Sequence, residues 1–158
     1  MAARALPSRP FRILSVVGTR PEAIKMAPVV GALAARPAIE QQVLLTGQHS
    51  GLGGAFGTVG AHELGLDLRN KSVTKLRDTL TGAIAEYLAP SPPDLVVVQG
   101  DTTSALAGAL AARQSGIALA HVEAGLRSHQ KDPWPEESNR IAIDALSDLL
   151  FAPTEAAA

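Results

Sequence analysis

Pro90-Ser91-Pro92-Pro93, followed directly by Asp94-Leu95-Val96-Val97-Val98, narrows what this chain can fold into more than any other stretch. The prolines stop any preceding helix, and the three consecutive valines put apolar side chains on both faces of an extended strand. A strand apolar on both faces belongs inside a parallel sheet covered by helices. Parallel neighbours cannot be joined by a tight turn, so the flanking chain must supply crossover connections, usually helical ones.

The rest of the sequence has that rhythm. Strands are predicted at Arg12 to Val17, Gln42 to Thr46, Asp94 to Val98 and Ile117 to Val122, with a short last one at Leu149 to Ala152. Helices are predicted at Pro21 to Ala35, Lys75 to Leu88, Thr102 to Ser115 and Glu136 to Leu146, the second carrying Leu76, Leu80, Ile84 and Leu88 at helical spacing. The order predicts an α/β fold, a doubly wound parallel sheet. Aromatic residues make up only 3% of the chain against 46% apolar, so the core must be built from Ala, Val, Leu and Ile. Gly47 to Gly65 holds seven glycines, which weaken any helix there, and reads as a mobile loop with a poor helix around Val59 to Leu64. After the last strand, Thr154 is a candidate N-cap for a further helix.

At 158 residues the chain is enough for one domain with a real core. A net charge of -1 without a basic stripe argues against a nucleic acid or an anionic membrane as the main partner. The absence of cysteine excludes disulfides, thiolate metal sites and a cysteine nucleophile. The basic start MAARALPSRPFR is not followed by an apolar signal core, and no apolar run approaches the roughly 20 residues of a membrane span, so a cytoplasmic protein is expected.

The polar residues cluster at one edge. Arg20 follows the first strand, Gln48 and His49 the second, Gly100 and Asp101 the third, and Glu123 and Arg127 the fourth. These are the carboxyl ends of the strands, where open parallel sheets bind ligands. Part of this has an ordinary structural explanation. Thr19-Arg20-Pro21-Glu22 fits a capping box with proline in the first helical turn. Asp101 fits an N-cap, Glu136 and Glu137 fit the first turn of a helix, and His49 and His121 can be satisfied by hydrogen bonds within the fold. Arg20 and Lys25 remain, two cations near the positive end of a helix, where an anion would justify them. Glu123 also remains, a carboxylate directly after a buried strand.

No GxGxxG follows the first strand, no GxxxxGK[ST] occurs, and no histidine-carboxylate spacing such as HExxH is present. The expectation is therefore an anion-binding cleft with several carboxylates and no metal, suited to acid/base chemistry on a phosphorylated or nucleotide-linked substrate.

The segments GTRPEAIKMAP, TGQH, VQGDTTSALAGALAA, HVEAGLRS and PWPEESNRIAIDALSD, in this order, resemble the bacterial UDP-N-acetylglucosamine 2-epimerases over Phe11 to Glu155. The resemblance implies that residues 11–158 are a Rossmann-like domain, the N-terminal half of a two-domain GT-B arrangement, preceded by a flexible tail at residues 1–10. It implies interconversion of UDP-N-acetylglucosamine and UDP-N-acetylmannosamine for surface polysaccharide synthesis, with no cofactor, in a family that commonly forms homodimers. By motif it gives acid/base or essential roles to Asp101, Glu123 and Glu136, and substrate contacts to Arg20, Lys25, Gln48, His49 and Arg127, the last in the same cleft wall. Which carboxylate takes the C2 proton stays open.

The family's second, UDP-binding domain has no counterpart in these residues. Acid/base groups supply about 10²- to 10⁴-fold, but positioning supplies roughly 7–11 kcal/mol, so this unit alone is expected to be inactive. Gly51 stands three residues after Gln48, where non-hydrolysing bacterial members usually carry a glutamine that helps bind a second, regulatory UDP-sugar. A hydrolysing variant is thus one alternative. Others are a non-catalytic sugar-nucleotide-binding or interaction module, and the donor-free half of a GT-B glycosyltransferase, which shares the fold without predicting these carboxylates.

Overall fold

The computed structural model describes residues 9–129 and 134–158. The strands are β1 (Phe11–Val17), β2 (Ile39–Leu45), β3 (Ala61–Glu63), β4 (Leu95–Gln99), β5 (Ala118–Val122) and β6 (Leu149–Phe151). The helices are α1 (Arg20–Ala34), α2 (Val73–Leu88), α3 (Thr103–Gln114) and α4 (Glu136–Leu146). All strand pairs are parallel, in the order β3-β2-β1-β4-β5-β6. The chain winds outward from β1 in one direction and from β4 in the other, so the order reverses between them. The crevice at their carboxyl ends is the topological switch point, where doubly wound sheets bind ligands.

The valine run behaves as its composition dictates. Val96 and Val98 pack with Leu14, Val16, Leu44 and Leu119 against α2, α3 and α4. Val97 points the other way, with Ile13, Val17, Val43 and Ala120, against Ala23, Met26 and Val30 of α1. Helix α3 is Ala-rich because it lies nearly on the sheet: a Cβ at Gly108 would sit 3.1 Å from Val98 and 3.2 Å from Val16. On the α1 side the sheet is covered only in part. Val29 and Leu33 of α1 with Leu95, Val97, Val122 and Phe151 line an apolar groove of about 530 Å³.

The structure corrects several expectations. Residues 59–64 do not form a helix: Ala61–Glu63 is an edge strand, held by Val43 N–H to the Gly60 carbonyl and Leu64 N–H to the Leu45 carbonyl. The free edge of β2 offers pairing that outweighs the weak local preference. Nor is the glycine-rich segment structureless, because a 3-10 turn at Gly53–Phe56 buries Leu52 and Phe56 in the α1-side core. Strand β2 begins three residues earlier than predicted, in register with β1 from Phe11 opposite Ile39. After β6 there is a short 3-10 turn, Glu155–Ala157, and the Thr154 side chain makes no cap. Residues 1–8 of the expected tail lie outside the described residues, while the Arg9 guanidinium forms a bidentate pair with Asp94 at 2.8 and 2.9 Å. Among the described residues no helix is long and apolar enough to cross a membrane.

Candidate functional site

The crevice between β1 and β4 holds a cleft of about 210 Å³ lined by Thr19, Glu22 and Lys25 from the start of α1, Gln99 and Asp101 from the β4 end, Glu123 after β5, and Arg140. Its first wall is built by close approach of backbone. Gly18 ends β1 where a Cβ would lie 2.0 Å from Ser104 Oγ and 2.7 Å from Thr46 Oγ1, so only glycine fits. Ser104 Oγ donates to Gln48 Oε1 at 2.7 Å and fixes that side chain. His49 is pinned twice: its N–H donates to the Gly18 carbonyl at 2.8 Å, and Nδ1 accepts the Arg20 N–H at 3.1 Å. His49 therefore satisfies a donor at the α1 N-terminus, while the Arg20 side chain has no ion-pair partner among the described residues.

Glu22 does more than the capping box requires. Buried to 2% exposure, its carboxylate accepts from Gly18 N–H (3.0 Å), Thr19 N–H (2.6 Å) and the Thr102 hydroxyl (2.7 Å). It thereby ties the first turn to the N-terminus of α3. Burial raises its pKa, and the hydrogen bonds from Thr102, Thr19 and Gly18 only partly oppose this, so its carboxyl group titrates above the ordinary range. A raised folded-state value means the folded chain binds this proton more tightly than the unfolded chain. The contribution is full below the unfolded value and lost as pH rises through the folded one. Urea midpoints of wild type and Glu22→Gln, compared between about pH 7 and about pH 4, should shift in favour of wild type at the acid end; a shift the other way contradicts this account.

The opposite wall carries the charges. Glu123 adopts φ 68°, a left-handed conformation that costs a non-glycine residue about 1–3 kcal/mol and persists where its surroundings enforce it. Its carboxylate takes the Lys25 ammonium at 2.7 and 3.0 Å and a short hydrogen bond from Gln99 Nε2. Asp101 is not the N-cap of α3. Thr102 fills that role, its side chain accepting from Ala105 N–H at 3.0 Å, and this leaves the Asp101 carboxylate to pair with Arg140. Asn139 Nδ2 donates to the Asp101 carbonyl at 2.9 Å, so α4 holds that turn by two contacts.

Of the residues expected in the site, Arg20, Gln48, His49, Arg127 and Glu136 do not line this cleft. Arg127 is turned to Asp144 at 2.7 Å and to the Leu126 carbonyl at 2.7 Å, away from the cleft wall the sequence assigned it to. Glu136 does not line the cleft either, and its Oε2 is buried without a hydrogen-bond partner among the described residues. Its neighbour Glu137 takes the organising contacts instead, accepting from Ser128 N–H at 3.1 Å and pairing with Arg140 at 2.5 Å. Those backbone donors outweigh burial and hold the Glu137 carboxyl below the usual range. His121 is buried and satisfied within the fold, as expected. Among the described residues no three histidine or carboxylate side chains are placed to hold a metal ion.

Gln99, Glu22 and Arg140 are site residues that the sequence reading missed. Gln99 had a signal, a polar residue ending an apolar strand at the ligand-binding edge. Arg140 had a weaker one, three residues after Glu137 on a helix. Glu22 was hidden because the capping box already explained it.

The model of the family described as UDP-N-acetylglucosamine 2-epimerase matches residues 31–158. The UDP-N-acetylglucosamine 2-epimerase of Escherichia coli (strain K12) is 41% identical over 150 residues, covering 92% of this chain and 40% of the relative. The crystal structure of UDP-GlcNAc 2-epimerase from Neisseria meningitidis bound to UDP-GlcNAc superposes with a TM-score of 0.86 at 38% identity, covering 92% of this chain and 41% of that one. The Methanocaldococcus jannaschii UDP-GlcNAc 2-epimerase in complex with UDP-GlcNAc and UDP gives 0.83 at 37% identity, over 92% and 41%. The chain thus spans about 40% of the length of the relatives it matches. With the family model covering most of its residues and the fold shared at this identity, the chain belongs to the UDP-N-acetylglucosamine 2-epimerase family.

Proposed function

We propose that residues 11–158 are the acid/base half of a UDP-N-acetylglucosamine 2-epimerase. The observation that carries this reading is the convergence of Asp101, Glu123 and Lys25 on one cleft at the switch point of the sheet. The named complexes of two relatives with UDP-GlcNAc support the substrate class.

The geometry suits an elimination and re-addition. A carboxylate removes the proton from C2 of the sugar, the C2–H electron pair becomes the C1=C2 double bond, and the C1–O bond breaks as UDP departs. UDP then adds back to C1 and a proton returns to the other face of C2. Lys25 now neutralises Glu123; a diphosphate that drew the ammonium away would leave Glu123 an unpaired base. Burial holds the Glu22 carboxyl above its ordinary range at the edge of this cleft.

The uridine-gripping contacts are proposed to come from outside this unit. The purified 158-residue chain is therefore expected to show no turnover of UDP-N-acetylglucosamine to UDP-N-acetylmannosamine, followed by proton NMR of the anomeric signals. Turnover at a rate near that of the full-length relatives would overturn the assignment of half the site to this unit.

A further inference from the structure

We propose that His121 and Asp144 are positioning residues that set the two carboxylate-bearing turns, Gly100–Asp101 and Glu123–Gly125, at a fixed separation. The proposal rests on the functional reading above and names the part of the fold that makes it work.

Neither residue lines the cleft. His121 lies on β5, two residues before Glu123, and is 0% exposed. Its Nε2 reaches sideways to the Gly100 carbonyl at 2.7 Å, in the turn that carries Asp101. A carbonyl only accepts, so this nitrogen must carry a proton and donate it. The other ring nitrogen, Nδ1, meets Asp144 Oδ1 on α4 at 2.6 Å. Asp144 Oδ2 in turn accepts the Gly125 N–H at 3.1 Å and pairs with Arg127 at 2.7 Å. One unbroken chain of contacts therefore runs from the Asp101 turn, through an imidazole and a carboxylate, to the Glu123 turn.

Packing alone does not ask for a histidine here. The residue is fully buried, and a leucine or phenylalanine of similar size would fill the space but make neither of its two hydrogen bonds. The strain at Glu123 gives the network its purpose. A residue at φ 68° is held only if its turn is fixed from several sides. Glu123 and Ala124 N–H groups are tied to the Phe151 carbonyl at 3.0 and 3.1 Å, and Asp144 ties the next N–H, that of Gly125. Burial pushes the Asp144 carboxyl up, but Arg127, His121 and the Gly125 N–H outweigh it and hold the group below its ordinary range. Asp144 thus stays an acceptor for all three partners.

The test needs no ligand. The 158-residue chain is labelled with ¹⁵N in histidine and ¹³C in the aspartate and glutamate carboxyl groups, as wild type and as Asp144→Asn. Wild type is expected to show a proton on His121 Nε2 at neutral pH. In Asp144→Asn the carboxyl signals of Glu123 and Asp101 should move, while those of the remote Asp67 and Asp78 stay in place. A folded Asp144→Asn chain whose Glu123 and Asp101 carboxyl signals coincide with wild type overturns the proposal. If that variant does not fold, the wild-type spectrum decides: a His121 Nε2 without its proton overturns it equally. Failure of the functional reading would show separately, as wild type that does not bind UDP-N-acetylglucosamine whatever these spectra report.

Discussion

Leu119→Ala is expected to lower folding stability by about 2–5 kcal/mol, the range for emptying a fully buried leucine site. Leu119 is 0% exposed on β5 and faces the layer formed by α3 and α4, where Val96, Val98 and Ile143 share its contacts. The Ala-rich surface of α3 lies so close to the sheet that it has little room to settle into a void. Domains of this size are stable by about 5–15 kcal/mol, so the loss would be a large part of the total. Urea unfolding should show a lower midpoint with an unchanged slope. Leu149→Ala, at an edge-strand position 49% exposed, is the control and should change stability by no more than about 0.5 kcal/mol. A Leu119 effect as small as the control would mean that the α3–α4 layer does not close on β5.

Burial on two faces was written plainly in the sequence. Val96 to Val98 dictated a central parallel strand, and the periodic leucines of α2 dictated a covering helix, because these features depend on spacing alone. Residues 59–64 were misread because the pairing that fixes them is offered by β2, a partner remote in sequence and invisible to local propensity. The candidate site shows the same division. Asp101, Glu123 and Arg20 could be placed at the ligand edge because each follows a strand, and Lys25 because it lies near the amino end of the helix that begins there. Arg127 could not be separated from them, since only the fold shows Asp144 drawing its side chain away. Likewise Thr102, one residue beyond Asp101, took the capping role because its hydroxyl reaches Ala105 N–H, and two adjacent polar residues at a helix start look alike before the backbone is known.

Lys25→Met is expected to weaken binding of UDP-N-acetylglucosamine by roughly 10- to 100-fold, from the 1.5–3 kcal/mol typical of a hydrogen bond to a charged group. Methionine keeps an apolar stem of similar length and removes only the ammonium that faces Glu123. Stability should hardly change, because the Lys25 side chain is 53% exposed and such pairs contribute about 0–1 kcal/mol. Calorimetric titration of both chains separates the two effects. Equal affinities would remove Lys25 from the anion-binding wall.

The most direct measurement of the central claim is a titration of the ¹⁵N-labelled 158-residue chain with UDP-N-acetylglucosamine, followed through the backbone amides. The account predicts shifts concentrated at Gly18 to Lys25, Gln48 and His49, Gln99 to Thr102, and Glu123 to Gly125. Shifts gathered instead around Val29, Leu33 and Phe151 in the apolar groove, or no shifts at millimolar ligand, would contradict it.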